Sequence, residues 1–288
     1  MKRKHIFKAV AAAIAIWTAP QAAPAAELWR IEGLATPESA LFDTARNRIV
    51  VSNINGSPGD ADGNGFLSLV TVDGHIDTLH WVDGFDAPKG MAMVGDRLFV
   101  ADLTVIREVD VTSGTLVASY PVEGAQFLND VTASEDGSVY VSDMTADTIY
   151  RLKDGIVESW LRDARLNTPN GLAADGNTLF VGSWGPNMHA DFSTDGPGGL
   201  IAIDLASKAI TDVHGAEAAG NIDGVVLDGD TVFMTDYMKG VLLRLDADGT
   251  LSEVARLEPG SADLGGSADT LFIPMMFEGG LIAFTPDP

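Results

Sequence analysis

One short phrase recurs six times along this chain, and it constrains the fold more than any other feature. Each copy runs from an apolar strand through a tight Asp/Gly turn into a second strand, as in 169–182 and 222–235. Self-similarity at a period of about 40 residues is typical of repeat architectures. The residue at the opening position of each copy, which we call the opening residue, changes along the chain: Glu38, Lys89, Asn129, Asn170, Asp223 and Ala262.

Each repeat contains four short segments with the composition of β-strands. In the repeat of Asn170 they are predicted at 171–174, 178–184, 199–205 and 209–214. These segments are rich in β-branched and aromatic residues, turns between them carry Gly and Asp, and helical periodicity is absent. Six four-stranded repeats predict an all-β fold, the six-bladed β-propeller, with an open β array as the alternative.

The two ends of the chain complement each other. The last repeat stops after its third strand at 281–285, whereas a spare strand at 28–34 precedes the first repeat. Pairing the spare strand with the last repeat completes a fourth strand and leaves no blade with an unpaired edge. The sequence therefore predicts that the N-terminal strand closes the last blade of the ring.

The first 26 residues have the features of a secretory signal peptide. Four basic residues precede an apolar run at 9–17, and Ala-Pro-Ala at 23–25 suits a signal peptidase. The run is shorter than the ~20 residues that span a bilayer, which disfavours the alternative of an uncleaved anchor. We predict a signal peptide at 1–26, one propeller domain at 27–288, and a periplasmic or secreted protein without membrane attachment after cleavage.

Composition limits the partners and the stabilising devices. The chain has no cysteine, so no disulfide supports it, and its formal net charge is −23. The charge becomes more negative if 1–26 is removed, because that segment is basic. A strongly negative field repels nucleic acid and attracts cations. We therefore expect no nucleic-acid partner and a small-molecule substrate or ligand.

The opening residues form the most informative constellation. Each lies at the start of an innermost strand, so all six are predicted to meet at one end of the central channel. Glu38, Asn129, Asn170 and Asp223 supply hard oxygen donors, which suit a divalent cation and Ca²⁺ above all; a tetrahedral zinc site fits less well. The alternative is that these Asn and Asp side chains only cap strand starts.

Lys89 is the exception in this ring of oxygen donors. A cation among proposed metal ligands is expected either to extend outward to solvent or to form an ion pair with Asp86 or Asp130. Its neighbours in the sequence do not decide between these two arrangements.

Two insertions, at 54–65 and 184–198, are predicted to lie beside the same end of the channel. The second insertion supplies candidate substrate contacts, which are Trp184, Asn187, Asp191 and Phe192. It also supplies His189 as a candidate general acid or base. The alternative interpretation is that His189 is an incidental histidine in a solvated loop. The first contains Asp60, Asp62 and Asn64 at the spacing of half a calcium loop. Because Thr71 stands where such a loop needs Glu, a plain turn is favoured over a second cation site.

The opening residues and their neighbours resemble the senescence marker protein/gluconolactonase family, which includes regucalcin. The resemblance is carried by Glu38 in Pro-Glu-Ser-Ala-Leu-Phe-Asp, Asn129 in Phe-Leu-Asn-Asp-Val, Asn170 in Pro-Asn-Gly-Leu and Asp223 in Ile-Asp-Gly-Val. It implies a six-bladed propeller with a divalent cation at the channel mouth and, in many members, lactonase activity. Glu38, Asn170 and Asp223 would be core ligands, and Asn129 a ligand or substrate contact.

One departure from the family bears on the substrate. Family members that act on sugar lactones are similar to one another in having an arginine two residues before the position of Asn129, and Phe127 stands there in this chain. The replacement indicates a less polar substrate than a gluconolactone.

These observations predict a metal-dependent hydrolase, most simply a lactonase or esterase acting on a small cyclic ester. Asp223, Asp130 or His189 would handle the proton, and substrate contacts would come from Lys89, Phe127, Trp184 and Phe192. One alternative is a non-enzymatic propeller that binds a protein or small ligand. Another is a strictosidine synthase-like propeller, for which no additional glutamate is evident. Motifs of serine hydrolases, zinc proteases and nucleotide-binding loops are absent.

Overall fold

Six four-stranded antiparallel sheets make up the protein as a β-propeller. The computed structural model describes residues 25–267 and 269–286. The predicted signal peptide at 1–26 therefore lies outside the described residues, apart from its last two positions. The innermost strands of neighbouring blades contact one another in a closed cycle, which confirms the predicted six-bladed ring.

Strands are numbered in chain order, and blades in the order of their innermost strands. Blades 1 to 3 consist of β2 (Pro37–Asp43), β3 (Arg48–Asn53), β4 (Gly65–Thr71), β5 (Ile76–Phe85); β6 (Pro88–Val94), β7 (Arg97–Asp102), β8 (Val105–Asp110), β9 (Thr115–Pro121); and β10 (Leu128–Ala133), β11 (Val139–Asp143), β12 (Thr148–Lys153), β13 (Ile156–Arg162). Blades 4 to 6 consist of β14 (Pro169–Asp175), β15 (Thr178–Ser183), β16 (Leu200–Asp204), β17 (Ile210–Asp212); β18 (Ile222–Asp228), β19 (Thr231–Asp236), β20 (Val241–Leu245), β21 (Leu251–Arg256); and β22 (Gly265–Ser267), β23 (Thr270–Met275), β24 (Gly280–Thr285) with β1 (Ala26–Glu32). A short 3₁₀ helix, Ala164–Leu166, precedes β14.

No helix in the described ranges is long and apolar enough to cross a membrane.

The N-terminal strand completes blade 6, as predicted. β1 pairs antiparallel with β24 and is the outermost strand of that blade, although it begins two residues earlier than expected. Trp29 on β1 reaches the neighbouring blade, because its indole N–H donates to the carbonyl of Val72 at 2.9 Å. The same ring lies 6.0 Å from that of Phe272. One side chain thus joins the last blade to the first.

Apolar side chains fill each interface between neighbouring blades. Val50 and Leu69 of blade 1 pack with Leu98 and Val109 of blade 2, and equivalent clusters occupy the other five interfaces. The core is therefore a ring of six clusters around the channel. Burial on both faces explains why inner strands are apolar without strict alternation, while outer strands such as β9 alternate in exposure.

The innermost strands share a local irregularity at the opening residues. In blades 1 to 5 the pairing of the first two strands skips the opening residue and the residue after it. Such β-bulges redirect side chains away from the regular alternation of a strand. In three blades, a hydroxyl oxygen of the second strand accepts a hydrogen bond of 2.9 Å from a backbone N–H of the bulged segment. Ser52 accepts from Ser39, Ser142 from Asp130, and Thr235 from Gly224.

In blades 1 to 3, an acid or amide at the end of the second strand holds the loop that leads into the opening residue. Asp102 accepts the backbone N–H of Ala87 at 2.8 Å, and Asp143 accepts that of Gln126 at 2.7 Å. Asn53 does the same for Ala35 at 3.0 Å. These buried side chains fix the backbone that precedes the opening residues.

Because Trp29 joins blade 6 to blade 1, Trp29→Ala should weaken ring closure. We expect the free energy of unfolding, measured by urea denaturation, to fall by about 3 kcal/mol, as for loss of a large packed aromatic ring. Leu28→Ala on the same strand is the control, since Leu28 is 54% exposed and its loss should cost under about 0.5 kcal/mol. Equal effects of the two substitutions would contradict the assigned role of Trp29.

Candidate functional site

A cavity of about 610 Å³ opens at the end of the channel where the innermost strands begin. All five polar opening residues line it, together with residues of both insertions. The predicted convergence is therefore present in the structure. Four of the five are oxygen donors and form what we call the floor of the cavity: Glu38, Asn129, Asn170 and Asp223.

The floor is buried and has unsatisfied oxygen atoms. Its four side chains are at most 5% exposed. Glu38 Oε2, Asn129 Oδ1 and Asn170 Oδ1 have no hydrogen-bond partner within the described part of the protein. Buried polar atoms without partners are costly and rare in native structures. Three of them at one floor indicate that these oxygens serve something other than the protein itself.

Hydrogen bonds orient the two amides of the floor. Asn170 donates from Nδ2 to Asp223 Oδ1 at 2.6 Å, and Asn129 donates from Nδ2 to the sulfur of Met144 at 3.7 Å. Each amide thereby directs its N–H₂ group to a protein atom and leaves its carbonyl oxygen free. The residual donor set is carboxylate and carbonyl oxygen only, which fits the chemistry of a calcium ion.

This set differs from metal sites made of acidic residues and histidine. Within the described ranges, no group of three or more His, Cys, Asp or Glu side chains is arranged to hold a metal ion. The floor instead combines two carboxylates with two amides. Glu38 is also the one glutamate that lines the cavity among the described residues.

Four carboxyl groups of the channel have raised pKa values because burial disfavours their charged forms. For Glu38 and Asp223 burial is the largest cause, and neighbouring carboxylates add to it. Burial likewise raises the pKa of Asp130, and it raises the pKa of Asp263 to about 7. The channel therefore concentrates negative charge that favours either protons or a bound cation.

Lys89 occupies neither of the two predicted arrangements. It is only 1% exposed, and its ammonium donates to the carbonyl oxygens of Pro58 at 2.9 Å and Ala87 at 3.0 Å. The ring of Phe127 covers it, with the centroid 4.5 Å from Nζ. Burial lowers the Lys89 pKa to about 8, while Glu38 opposes the shift.

The expected ion-pair partners of Lys89 are engaged elsewhere. Asp86 contacts Arg107 and accepts the backbone N–H of Gly63, and Asp130 accepts backbone N–H groups. The prediction was wrong because the first insertion supplies a carbonyl group to Lys89, a contact that only the folded loop creates.

Asp130 lies beside the channel but does not line the cavity. Its carboxylate accepts the backbone N–H groups of Val131 at 2.6 Å and Leu172 at 2.5 Å. Gly90 of the neighbouring blade packs against it so closely that a Cβ there would lie 2.2 Å from Oδ1. Asp130 thus links blades 2, 3 and 4 and is not among the residues that line the cavity.

The second insertion brings only part of its predicted residues to the cavity. Trp184 and Phe192 line it, and the indole N–H of Trp184 donates to the carbonyl of Phe192 at 2.8 Å. Asp191 also lines it. His189 is not among the lining residues; its Nε2 lies 3.1 Å from Asp195 Oδ1 on the exposed side of the loop.

In the first insertion, Asp62 bonds to its near neighbour. The Asp62 carboxylate accepts from the side chain of Asn64 at 2.6 Å and from its backbone N–H at 3.3 Å. These two bonds connect Asp62 and Asn64 within the turn. The cavity receives other residues of the insertion, among them Ile54 and Pro58.

Sequence reasoning missed two aromatic residues of the cavity and one buried acid. Tyr237 and Phe277 line the cavity from the turns after the second strands of blades 5 and 6. Asp263 is buried beside the channel, where it accepts the hydroxyl of Ser39 at 2.5 Å. The position of Asp263 after Ala262 parallels that of Asp130 after Asn129, so the repeat did contain a signal for this acid.

Comparisons with known proteins agree with the fold. No protein-family model matches the chain, and no curated protein is similar enough in sequence to align with it. Among solved structures, a gluconolactonase from Xanthomonas campestris is 18% identical, with a TM-score of 0.66 over 95% of this chain and 99% of that one. Virginiamycin B lyase from Staphylococcus aureus is 12% identical, with a TM-score of 0.61 over 89% and 99%.

A chain of a nidogen/laminin complex is 13% identical, with a TM-score of 0.60 over 86% of this chain and 87% of that one. Proteins with unlike functions thus share this architecture, and function has to be argued from the site. The structural similarity to gluconolactonase propellers extends over nearly the whole chain, as the resemblance in the opening residues implied.

Proposed function

We propose that the protein is a divalent-metal-dependent hydrolase of a small cyclic ester, and that the floor of the cavity holds the metal. The observation that carries the proposal is the set of three buried, unpartnered oxygens of Glu38, Asn129 and Asn170. Asp223, hydrogen-bonded to Asn170, adds the second carboxylate. Calcium is the cation that best suits two carboxylates and two amide carbonyls. When bound, a divalent cation polarises a carbonyl group and offsets negative charge that develops on its oxygen.

Asp223 is the group best placed to accept a proton. One of its oxygens is held by the Asn170 amide at 2.6 Å, which fixes the orientation of the carboxylate and leaves Oδ2 for a water molecule. Burial raises the Asp223 pKa in the metal-free protein, and a carboxylate held in a fixed orientation can accept a proton as a general base. Asp130 and His189 are not retained in this role, because neither lines the cavity.

Other residues of the cavity contribute position and exclusion of water. Tyr237 has its hydroxyl group bonded only weakly, to the sulfur of Met276 at 3.0 Å, so it is available to donate to a substrate oxygen. Lys89 keeps one fixed positive charge near Glu38. Three predicted substrate contacts, Phe127, Trp184 and Phe192, line the cavity with apolar rings. Such a setting strengthens electrostatic interactions with the ester group.

The proposal is tested on a panel of lactones and simple esters with calcium-loaded and EDTA-treated protein. We expect hydrolysis that needs the metal, and we expect Asp223→Asn to lower kcat about 100-fold or more, as for loss of a general base. Asp62→Asn, in the exposed turn of the first insertion, is the matched control and should keep full activity.

Absence of hydrolysis on the whole panel, with calcium demonstrably bound, would overturn the proposed enzyme. It would leave the alternative of a non-enzymatic propeller that binds a ligand at the same cavity. The strictosidine synthase-like alternative has no supporting observation, since Glu38 belongs to the floor.

The melting temperature of the metal-free protein should depend on pH, and calcium should counteract that dependence. Asp263, with a pKa of about 7, and Glu38 and Asp223, with raised pKa values, bind protons in the folded state that the unfolded chain releases near pH ~4. Their stabilising contribution is complete below pH ~4 and is lost as pH rises through the folded pKa. The melting temperature of EDTA-treated protein should therefore fall between pH 5 and 8, as followed by circular dichroism.

Calcium should raise the melting temperature more at pH 8 than at pH 5, because it binds the ionised carboxylates. Asp263→Asn should reduce the fall seen in EDTA, whereas Asp136→Asn, which removes an exposed carboxylate paired with Lys153, should not. A melting temperature that rises with pH in EDTA would contradict this assignment.

Tyr237→Phe tests the proposed hydrogen bond to substrate. Removal of the hydroxyl group should lower kcat/KM about tenfold, the effect of one hydrogen bond of roughly 1.4 kcal/mol. Calcium affinity should be unchanged. Tyr150→Phe, in the apolar cluster between blades 2 and 3, controls for loss of a buried phenol away from the cavity. Unchanged kcat/KM for Tyr237→Phe would exclude the assigned role.

A further inference from the structure

Aromatic side chains line the same cavity as the polar floor. The ring of Tyr237 lies 5.3 Å from that of Trp184 and 5.8 Å from that of Phe277, measured between centroids. On another side of the cavity Phe127 and Phe192 are 6.5 Å apart. These two groups of rings, which we call the aromatic wall, surround the route from solvent to the floor.

The outer end of the wall is exposed to an unusual degree. Phe277 is 71% exposed, Phe192 37% and Met238 36%, and all three line this one cavity. Large apolar side chains grouped at a cavity mouth indicate a surface that a ligand covers. Most of the other exposed large apolar residues described in the chain lie on outer strands instead, as Leu116 does.

The polar groups of the aromatic wall and of the adjacent Lys89 already form hydrogen bonds within the protein. The Trp184 indole N–H donates to Phe192, the Tyr237 hydroxyl to Met276, and the Lys89 ammonium to two backbone carbonyls. Of these, only the Tyr237 bond, to a weakly accepting sulfur, is easily exchanged for a bond to ligand. Along these rings, the hydroxyl groups of a ligand would lose their bonds to water without replacing them.

We infer that the site takes cyclic esters that carry an apolar alkyl or aryl substituent, with the ester group at the floor and the substituent along the aromatic wall. This inference rests on the proposed function for the ester group, but its apolar part stands on the wall alone. A cavity of about 610 Å³ has room for a lactone ring with a medium-length chain.

The first experiment measures kcat/KM of calcium-loaded protein for γ-lactones with alkyl chains from methyl to heptyl, beside a polyhydroxylated sugar lactone. We expect kcat/KM to rise roughly fourfold per added methylene, as burial of each group predicts. The sugar lactone should be the poorest substrate. Phe277→Ser should reduce the increment for the longer chains. Ile156→Ser is the matched control, because Ile156 is also 71% exposed but begins the outermost strand β13 and does not line the cavity.

A second experiment separates failure of this inference from failure of the proposed function. Unreactive 2-alkylcyclopentanones of the same chain lengths are titrated into the protein, and binding is followed by quenching of tryptophan fluorescence with support from calorimetry. We expect affinity to rise with chain length in wild type and in Ile156→Ser, and less so in Phe277→Ser.

The outcomes are distinct. Lactone hydrolysis without dependence on chain length, or with the sugar lactone as the best substrate, would overturn the apolar-substituent inference and leave the hydrolase intact. No hydrolysis, with ketone affinity that rises with chain length, would overturn the hydrolase and support the apolar site. Ketone affinity independent of chain length would overturn the inference directly.

Discussion

The crowding of buried carboxyl groups in the channel is the interaction on which the other features of the site depend. Glu38, Asp130, Asp223 and Asp263 are all nearly inaccessible to solvent, and burial raises the pKa of each. The buried ammonium of Lys89 offsets only part of this charge. Backbone N–H groups satisfy Asp130, and a hydroxyl group satisfies Asp263. Glu38 and Asp223 remain at the cavity, where a cation can compensate them.

The scaffold supports this concentration of charge because the surrounding backbone is fixed. β-Bulges at the opening residues turn their side chains toward the channel, and acids such as Asp102 and Asp143 hold the preceding loops. Six apolar clusters between the blades supply the stability that permits a costly polar centre. Close approach of Gly90 to the Asp130 carboxylate shows how little space the neighbouring blades leave. A rigid ring therefore presents a preorganised floor, whereas the insertions and turns above it form the wall.

The candidate site was predictable where it followed the repeat and unpredictable where it followed the loops. Glu38, Asn129, Asn170 and Asp223 hold the same position in four repeats, so their convergence needed only the architecture. Lys89 was placed wrongly because its partner Pro58 comes from a loop of the neighbouring blade. Tyr237 and Phe277 escaped notice because they lie in turns whose contact across blades has no signature in the chain. His189 and Trp184 belong to one insertion, yet only Trp184 reaches the cavity.

The sequence by itself determined the six-bladed ring, its closure by the N-terminal strand, and the polar residues at one end of its channel. It could do so because a repeat imposes the same local pairing in every copy, and local pairing is encoded by neighbouring residues. Only the tertiary structure decided which oxygens lack partners, that Lys89 is buried beneath Phe127, and that an aromatic wall lines the same cavity as the floor. Those properties depend on distances between blades that are far apart in the chain, and short-range sequence patterns do not specify such distances.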